Sequence, residues 1–230
     1  SPIMRHLLTG NELTQAAIGQ IIARAAALKA APLSSRALAD RTVALIFQKP
    51  STRTRISFEV GIAELGGRPM VLSPADLQLG RGESLRDTAR VLGRHVAAVG
   101  VRTHADANRV RDPADRPALD GATTYADFVE YVSGSNEFYT DVWVSMGDED
   151  TAGERRRVLA PYRIDDALLD AAAPDAIALH CLPAHPGEEI SAEVLYGGRQ
   201  RIWDQAENRR HAQKAMLEWL VGAPPFAEPA

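Results

Sequence analysis

TVALIFQKPSTRTRISFEVGIAEL, residues 42–65, runs a strand, a break and a helix in immediate succession. Thr42–Phe47 is an almost unbroken apolar, partly β-branched run, the pattern of a strand covered on both faces. Pro50 and Ser51 interrupt it. From residue 55 to 65, Phe58, Ile62 and Leu65 recur at helical spacing. Where a strand hands over to a helix, backbone N–H groups without partners and the positive end of the helix dipole face the turn. The hydroxyls of Ser51, Thr52 and Thr54 stand there, and Arg53 is able to hold a phosphate dianion by two parallel N–H bonds as lysine cannot. The run predicts a small-anion site at the end of a strand. The plain alternative is Ser51 as a helix cap with solvated arginines. No glycine-rich stretch closes on Lys-Ser or Lys-Thr, which excludes a Walker-type loop.

Working outward, residues 12–29 show apolar and alanine positions at helical spacing, ended by Pro32. Downstream come a strand over 69–72, a glycine-containing loop over 77–82, a helix from 83 to about 93 and a strand over 95–101. Strands alternating with helices predict an α/β fold with a mainly parallel sheet. From 105 to 136 the chain turns polar, with only 125–132 able to form a short helix. Strands are expected over 138–142 and 176–180, then an amphipathic helix over 202–221 with Trp203, Ala206, Ala215, Leu217 and Leu220 among its apolar positions. The domain division expected is 1–104, a connector 105–136, and 137–230.

A net charge of -4 gives no general drive toward nucleic acid or an anionic membrane, so any anion has to be caught locally. The one cysteine, Cys181, excludes an internal disulfide framework and a multi-cysteine zinc site. No segment is long and apolar enough to cross a bilayer. Residues 1–10 lack a signal-peptide pattern, and the expected location is cytoplasmic.

Arg102 ends the third strand, and open α/β sheets bind ligands at the carboxyl ends of their strands. A simply exposed strand-end arginine is the alternative. Asp141 and Ser145 follow another strand, with Gly147 permitting close backbone approach; a carboxylate beside a hydroxyl suits an ammonium group. Read in isolation, Asp141 is equally a solvated loop residue. Cys181 follows the strand over 176–179, where a lone buried cysteine is more often an inert small hydrophobe than a nucleophile.

Phe47 to Glu59, FQKPSTRTRISFE, resembles the carbamoyl-phosphate signature of the aspartate/ornithine carbamoyltransferase family. LQLGRGES over 77–84 resembles the loop that a neighbouring subunit lends to the site, and Val101-Arg102-Thr103 the strand end that supplies a further phosphate-binding arginine. TDVWVSMG over 140–147 and His180-Cys181-Leu182-Pro183 resemble the acceptor-binding strings of the ornithine branch. DQAENR over 204–209 resembles the family's last motif.

The resemblance implies an α/β fold with a parallel-sheet carbamoyl-phosphate domain followed by a truncated Rossmann-like ornithine-binding domain. It implies that Ser51, Thr52, Arg53, Thr54 and Arg102 bind carbamoyl phosphate, with Gln78 reaching across a homotrimer interface, or that of a multiple of a trimer. Asp141, Ser145, Met146, Cys181 and Leu182 would face L-ornithine, and Arg209 would turn toward the carbamoyl carbonyl. Arg53, Arg102, Asp141, Cys181 and Arg209 are the expected catalytic set. The implied reaction, in arginine biosynthesis, gives L-citrulline and phosphate and needs neither cofactor nor metal.

The family's His-Pro-x-Gln motif, whose histidine and glutamine contact the carbamoyl group, is absent; the one His-Pro pair is His185-Pro186, followed by glycine. Between Arg102 and Asp141 the family carries a longer segment. Two further expectations follow: a carbamoyltransferase-like protein that binds phosphate ligands without turnover, and a sister enzyme that uses putrescine or a modified ornithine.

Overall fold

The computed structural model describes residues 5–8, 10–47, 51–73, 75–76, 85–102, 134–144 and 152–226. The chain divides into two compact units, one formed by Ser1–Arg109 with Glu207–Ala230 and the other by Val110–Ala206. The expected third range, 137–230, joins a remnant of the ornithine-binding domain to the C-terminal helix, and residues Glu207–Ala230 of it fall in the first unit. The expected helix over 125–132 and nearly all of the connector lie outside the described residues.

In the first unit, α1 (Gln15–Ala30) is capped by Thr14, whose hydroxyl accepts from the Ala17 amide at 3.1 Å. Then follow β1 (Thr42–Phe47), α2 (Thr52–Glu64), β2 (Arg68–Leu72), α3 (Leu85–His95) and β3 (Ala98–Arg102). The three strands form a parallel sheet in the order β2-β1-β3, so β1 is central. Val43, Ala44, Leu45 and Ile46 are all buried, as a strand covered on both faces requires. The register runs Thr42 opposite Arg68 on one side and Phe47 opposite Arg102 on the other. Leu38, Val43, Leu45, Ile62, Leu65 and Leu217 make one core cluster. Burying each such side chain contributes roughly 1.5–3 kcal/mol.

Of the boundaries that differ from the spacing argument, two bear on the site. α2 begins at Thr52 rather than 55, so Thr52, Arg53 and Thr54 form its first turn. Hydroxyl residues read as turn formers, but a first turn tolerates them because its N–H groups have no intrahelical acceptor to compete for. β3 starts at Ala98, since His95 still closes α3 and the Val96 amide continues the helical ladder to Leu92 O at 3.0 Å.

In the second unit, β4 (Glu137–Thr140) and β5 (Ile177–His180) pair in parallel, with Thr140 opposite His180. Three helices there escaped the sequence reading: α4 (Ala152–Leu159), α5 (Asp166–Ala171) and α6 (Ala192–Tyr196). α5 is capped by Asp165, which accepts from the Leu168 amide at 2.9 Å, and α6 by Ser191, which accepts from Val194 at 3.2 Å. Phe138, Ile164, Leu168, Leu169, Ile190 and Leu195 form the heart of this unit's core. The closing helix, α7 (Ile202–Leu220), spans 19 residues. Among the described residues, no helix is long and apolar enough to cross a membrane.

Candidate functional site

In the first unit, the register that sets Phe47 opposite Arg102 brings the carboxyl ends of β1 and β3 side by side. Ser51 occupies the N-cap position of α2, yet its side chain makes no capping bond. Its Oγ instead accepts from Arg102 Nη1 at 2.9 Å. The first turn of α2 is thus left without a side-chain cap, at the place where a guanidinium and a hydroxyl meet. This is the arrangement that binds small anions at a helix N-terminus. Thr52 and Arg53 are exposed on that turn, and Thr54 is half-buried. Arg55 lies back along α2 to pair with Glu59 at 3.3 Å.

Arg209, in the second turn of α7, donates through Nη2 to Thr54 Oγ1 at 2.6 Å. Two residues 155 positions apart in sequence are joined because α7 is anchored by buried charges. Lys214 is fully buried and donates to Pro32 O at 2.9 Å and to the Glu64 carboxylate. Its stem lies so near α2 that a Cβ at Gly61 would stand 3.1 Å from Lys214 Cγ. Glu218, also fully buried, accepts from Arg24 at 2.7 and 3.0 Å and from the Ser35 hydroxyl. Lys29 Nζ donates to Asn208 Oδ1 at 2.7 Å. Buried ion pairs of this kind fix register because each is costly to separate.

A cavity of about 350 Å³ opens in this unit, with Thr54 and Arg102 in its lining. Its remaining walls are mostly apolar, from β1, β3 and the Met216 to Leu220 face of α7.

In the second unit, Asp141 and Cys181 follow directly on the paired strand ends Thr140 and His180. Cys181 Sγ donates to Asp141 Oδ1 at 2.9 Å, and the same oxygen accepts from the Val142 amide at 2.7 Å. Burial, reinforced by the Asp141 carboxylate, pushes the Cys181 thiol above its usual range. The residue therefore stays protonated at neutral pH and acts as a donor to Asp141, not as a thiolate nucleophile. Tyr139 adjoins the pair, and its phenol is pushed up by burial and by Cys181, with Gln205 opposing.

His180 holds the loop that follows. Its Nδ1 accepts from the Leu182 amide at 2.7 Å, which leaves the ring proton on Nε2 to donate to the buried Glu189 at 2.9 Å. Leu182 sits at φ 61, a left-handed conformation that costs a non-glycine residue about 1–3 kcal/mol and persists only where neighbours enforce it. The bond to His180 and the packing of the Leu182 side chain against the unit's core supply that enforcement. Leu182, expected to face a substrate, is in part a core residue.

Of the expected site residues, Gln78, Ser145 and Met146 lie outside the described residues. The structure brings together Ser51 with Arg102, Thr54 with Arg209, and Asp141 with Cys181. The sequence does not single out Tyr139, which precedes the TDVWVSMG string, or Gln205, which lies within DQAENR; the fold sets Tyr139 beside Cys181 and Gln205 against Tyr139 and the His180 amide. The group of His185, Glu188 and Glu189 has metal-ligand chemistry, but Glu188 pairs with Arg156 at 2.9 Å and Glu189 Oε1 accepts from His180 and from the His185 amide.

Comparison with known proteins points the same way. The profile of the aspartate/ornithine carbamoyltransferase carbamoyl-P binding domain matches residues 5–125, and that of the Asp/Orn binding domain matches residues 83–220. An ornithine carbamoyltransferase of Acidothermus cellulolyticus is 36% identical over 307 aligned residues, covering 96% of this chain and 98% of the relative. One from Methanothermobacter thermautotrophicus is 34% identical over 301, covering 95% and 99%. Both spans exceed the 230 residues present, so gaps fall on the side of this chain. Among solved structures, the ornithine carbamoyltransferase of Pyrococcus furiosus superposes with a TM-score of 0.78 at 32% identity, covering 95% of this chain and 97% of that one. The anabolic enzyme of Campylobacter jejuni gives 0.76 at 28%, covering 94% and 99%. With both domain profiles matched and relatives aligned along nearly their whole length, this chain belongs to the aspartate/ornithine carbamoyltransferase family.

Proposed function

We propose that this chain transfers the carbamoyl group of carbamoyl phosphate to L-ornithine, giving L-citrulline and phosphate, as a cytoplasmic homotrimer in arginine biosynthesis. The observation that carries the reading is the 2.9 Å bond from Arg102 to Ser51 at the uncapped start of α2. In this reading Ser51, Thr52, Arg53, Thr54 and Arg102 hold the phosphate, with Gln78 supplied by a neighbouring subunit. Arg209 and Thr54 polarise the carbonyl. Asp141, with Ser145, Met146, Cys181 and Leu182, receives the amino acid.

The chemistry asks little covalent work of the protein. A neutral amine attacks the carbamoyl carbon, a C–N bond forms, the C–O bond to phosphate breaks, and phosphate leaves with the electron pair while the amine sheds a proton. Negative charge grows on the carbonyl oxygen and on the leaving phosphate. Guanidinium groups and amides already fixed in place stabilise that charge without reorganising as the barrier is crossed. Asp141, held by the Cys181 thiol and the Val142 amide, is an acceptor suited to a substrate amine.

A second reading rests on two observations: the chain is shorter than the span over which its relatives align, and it lacks the His-Pro-x-Gln string. It would then bind carbamoyl phosphate without turning it over. Citrulline formation from carbamoyl phosphate and ornithine, with putrescine as an alternative acceptor, separates the two. Citrulline at an ordinary enzymatic rate supports the first reading. Binding of a phosphonate analogue with no product from any amine supports the second, and absence of both binding and product removes the carbamoyl-phosphate pocket from either.

A further inference from the structure

Glu189 is fully buried in the second unit, and one of its carboxylate oxygens holds both ends of a short turn. Oε1 accepts from His180 Nε2 at 2.9 Å, where β5 ends, and from the His185 amide at 2.6 Å. Between those two anchors lie Cys181 and Leu182. His180 carries the restraint into the turn, because its Nδ1 accepts from the Leu182 amide at 2.7 Å only while the ring proton sits on Nε2. The carboxylate thus selects the tautomer that helps keep Leu182 at φ 61. Glu189 is itself tied to the core: its carbonyl accepts from the Ile164 amide at 3.0 Å, and Ile164 and Ile190 are both core residues. A buried carboxylate is costly, and an apolar side chain fills such a place at lower cost. Core stability alone therefore does not account for Glu189.

We infer that Glu189 is a positioning residue for the acceptor half of the site. It sets the turn on which the Cys181 thiol meets Asp141 Oδ1 at 2.9 Å, and it governs how well the acceptor amine is held without touching it. The inference rests on the carbamoyl-transfer reading above and adds to it the group that preorganises the acceptor turn. Geometry and charge separate as causes at this position. Oε2 has no hydrogen-bond partner among the described residues, so Glu189→Gln is able to keep a carbonyl oxygen in the Oε1 place. Glu189→Asp keeps the charge and is one methylene short of both donors.

The test measures citrulline formation, the reaction of Cys181 with a disulfide reagent, and urea unfolding, all in the full chain. Glu189→Asp is expected to raise the KM for ornithine by about tenfold or more while the KM for carbamoyl phosphate stays within about twofold, since small misplacements of positioning groups carry costs of this order. The same variant is expected to speed thiol modification, because the thiol leaves Asp141. Glu189→Gln is expected to stay near wild type in all of these. Impairment of Glu189→Gln equal to or greater than that of Glu189→Asp makes charge or general stability the cause and overturns the inference. A rise in both KM values that tracks lost stability overturns it too, as do ornithine and thiol values that neither substitution moves. If wild-type protein forms no citrulline, the carbamoyl-transfer reading fails on that ground, and the thiol rates alone decide whether Glu189 sets the contact between Cys181 and Asp141.

Discussion

Arg102 Nη1 donates to Ser51 Oγ across 2.9 Å, tying the last residue of β3 to the N-cap of α2. The Ser51 hydroxyl makes this bond and no capping bond, which sets a guanidinium beside the start of the helix. Affinity for a phosphate dianion should then depend on both residues. Arg102→Leu is expected to weaken carbamoyl phosphate binding by about a hundredfold and Ser51→Ala by about tenfold, from the net worth of charged and neutral hydrogen bonds. Arg102→Lys, which keeps charge but loses the planar fork, should fall between. The KM for carbamoyl phosphate and inhibition by inorganic phosphate give the measurement. Three variants indistinguishable from wild type would mean that the arginine is only solvated.

Thr54 and Arg209 form the second pair, at 2.6 Å. If the guanidinium stabilises charge on the carbonyl oxygen, Arg209→Met should lower kcat by about two to three orders of magnitude with little change in the KM for ornithine. Thr54→Val should cost less. The double variant should cost less than the sum of the singles, because residues in contact are coupled. Strict additivity in that cycle would place the two side chains in separate roles.

The β1–α2 junction was legible because both signals are local: an apolar run followed at once by hydroxyls and arginines. Arg102 was legible only as a strand end; its partner depends on a parallel register that no single segment encodes. α5 and α6 went unread although Asp165 and Ser191 are proper caps, since 6 and 5 residues are too few to display a helical period. α7 was read as an ordinary amphipathic helix, and its polar face misled. Lys214 and Glu218 are fully buried, whereas Trp203, counted among the apolar positions, is 50% exposed. Their partners Glu64 and Arg24 lie some 150 and 194 residues away, beyond the reach of any periodicity argument.

The thiol of Cys181 offers a chemical check on the second unit. Burial first, and then the neighbouring Asp141 carboxylate, raise its pKa, so the reactive thiolate is scarce at neutral pH. Wild-type protein should react with a disulfide reagent more slowly than a free cysteine thiol, and the pH at half-maximal rate should lie above the ordinary cysteine value. Asp141→Asn removes the carboxylate and should shift that midpoint downward. Unchanged thiol titration in Asp141→Asn would disconnect the two residues.

Lys214 and Glu64 make a structural prediction independent of any ligand. Lys214→Ala strands the largely buried carboxylate of Glu64 and the carbonyl of Pro32, and should destabilise the protein by about 3–5 kcal/mol in urea unfolding. Replacing both partners, Lys214→Met with Glu64→Met, should be the milder change, since no buried charge is left alone. A double variant less stable than Lys214→Ala would contradict a desolvation-dominated pair.

His211 makes α7 sensitive to acid. Its ring is 2% exposed, and Nδ1 is buried with no hydrogen-bond partner among the described residues. Burial pushes its pKa below the ordinary value of 6.5, Lys214 and Arg210 push the same way, and the Glu207 carboxylate opposes them. Between the ordinary value and the lowered one, the unfolded chain takes up a proton that the folded chain does not. Stability is then fully present above about pH 6.5 and falls as pH drops through that window. Glu207, itself lowered by its bond to His211, adds a loss in more acidic solution as its carboxylate is protonated. The melting temperature of wild-type protein should fall on acidification from neutral, and His211→Asn should show a flatter profile below about pH 6.5. Parallel profiles for the two proteins would assign the acid sensitivity to other groups.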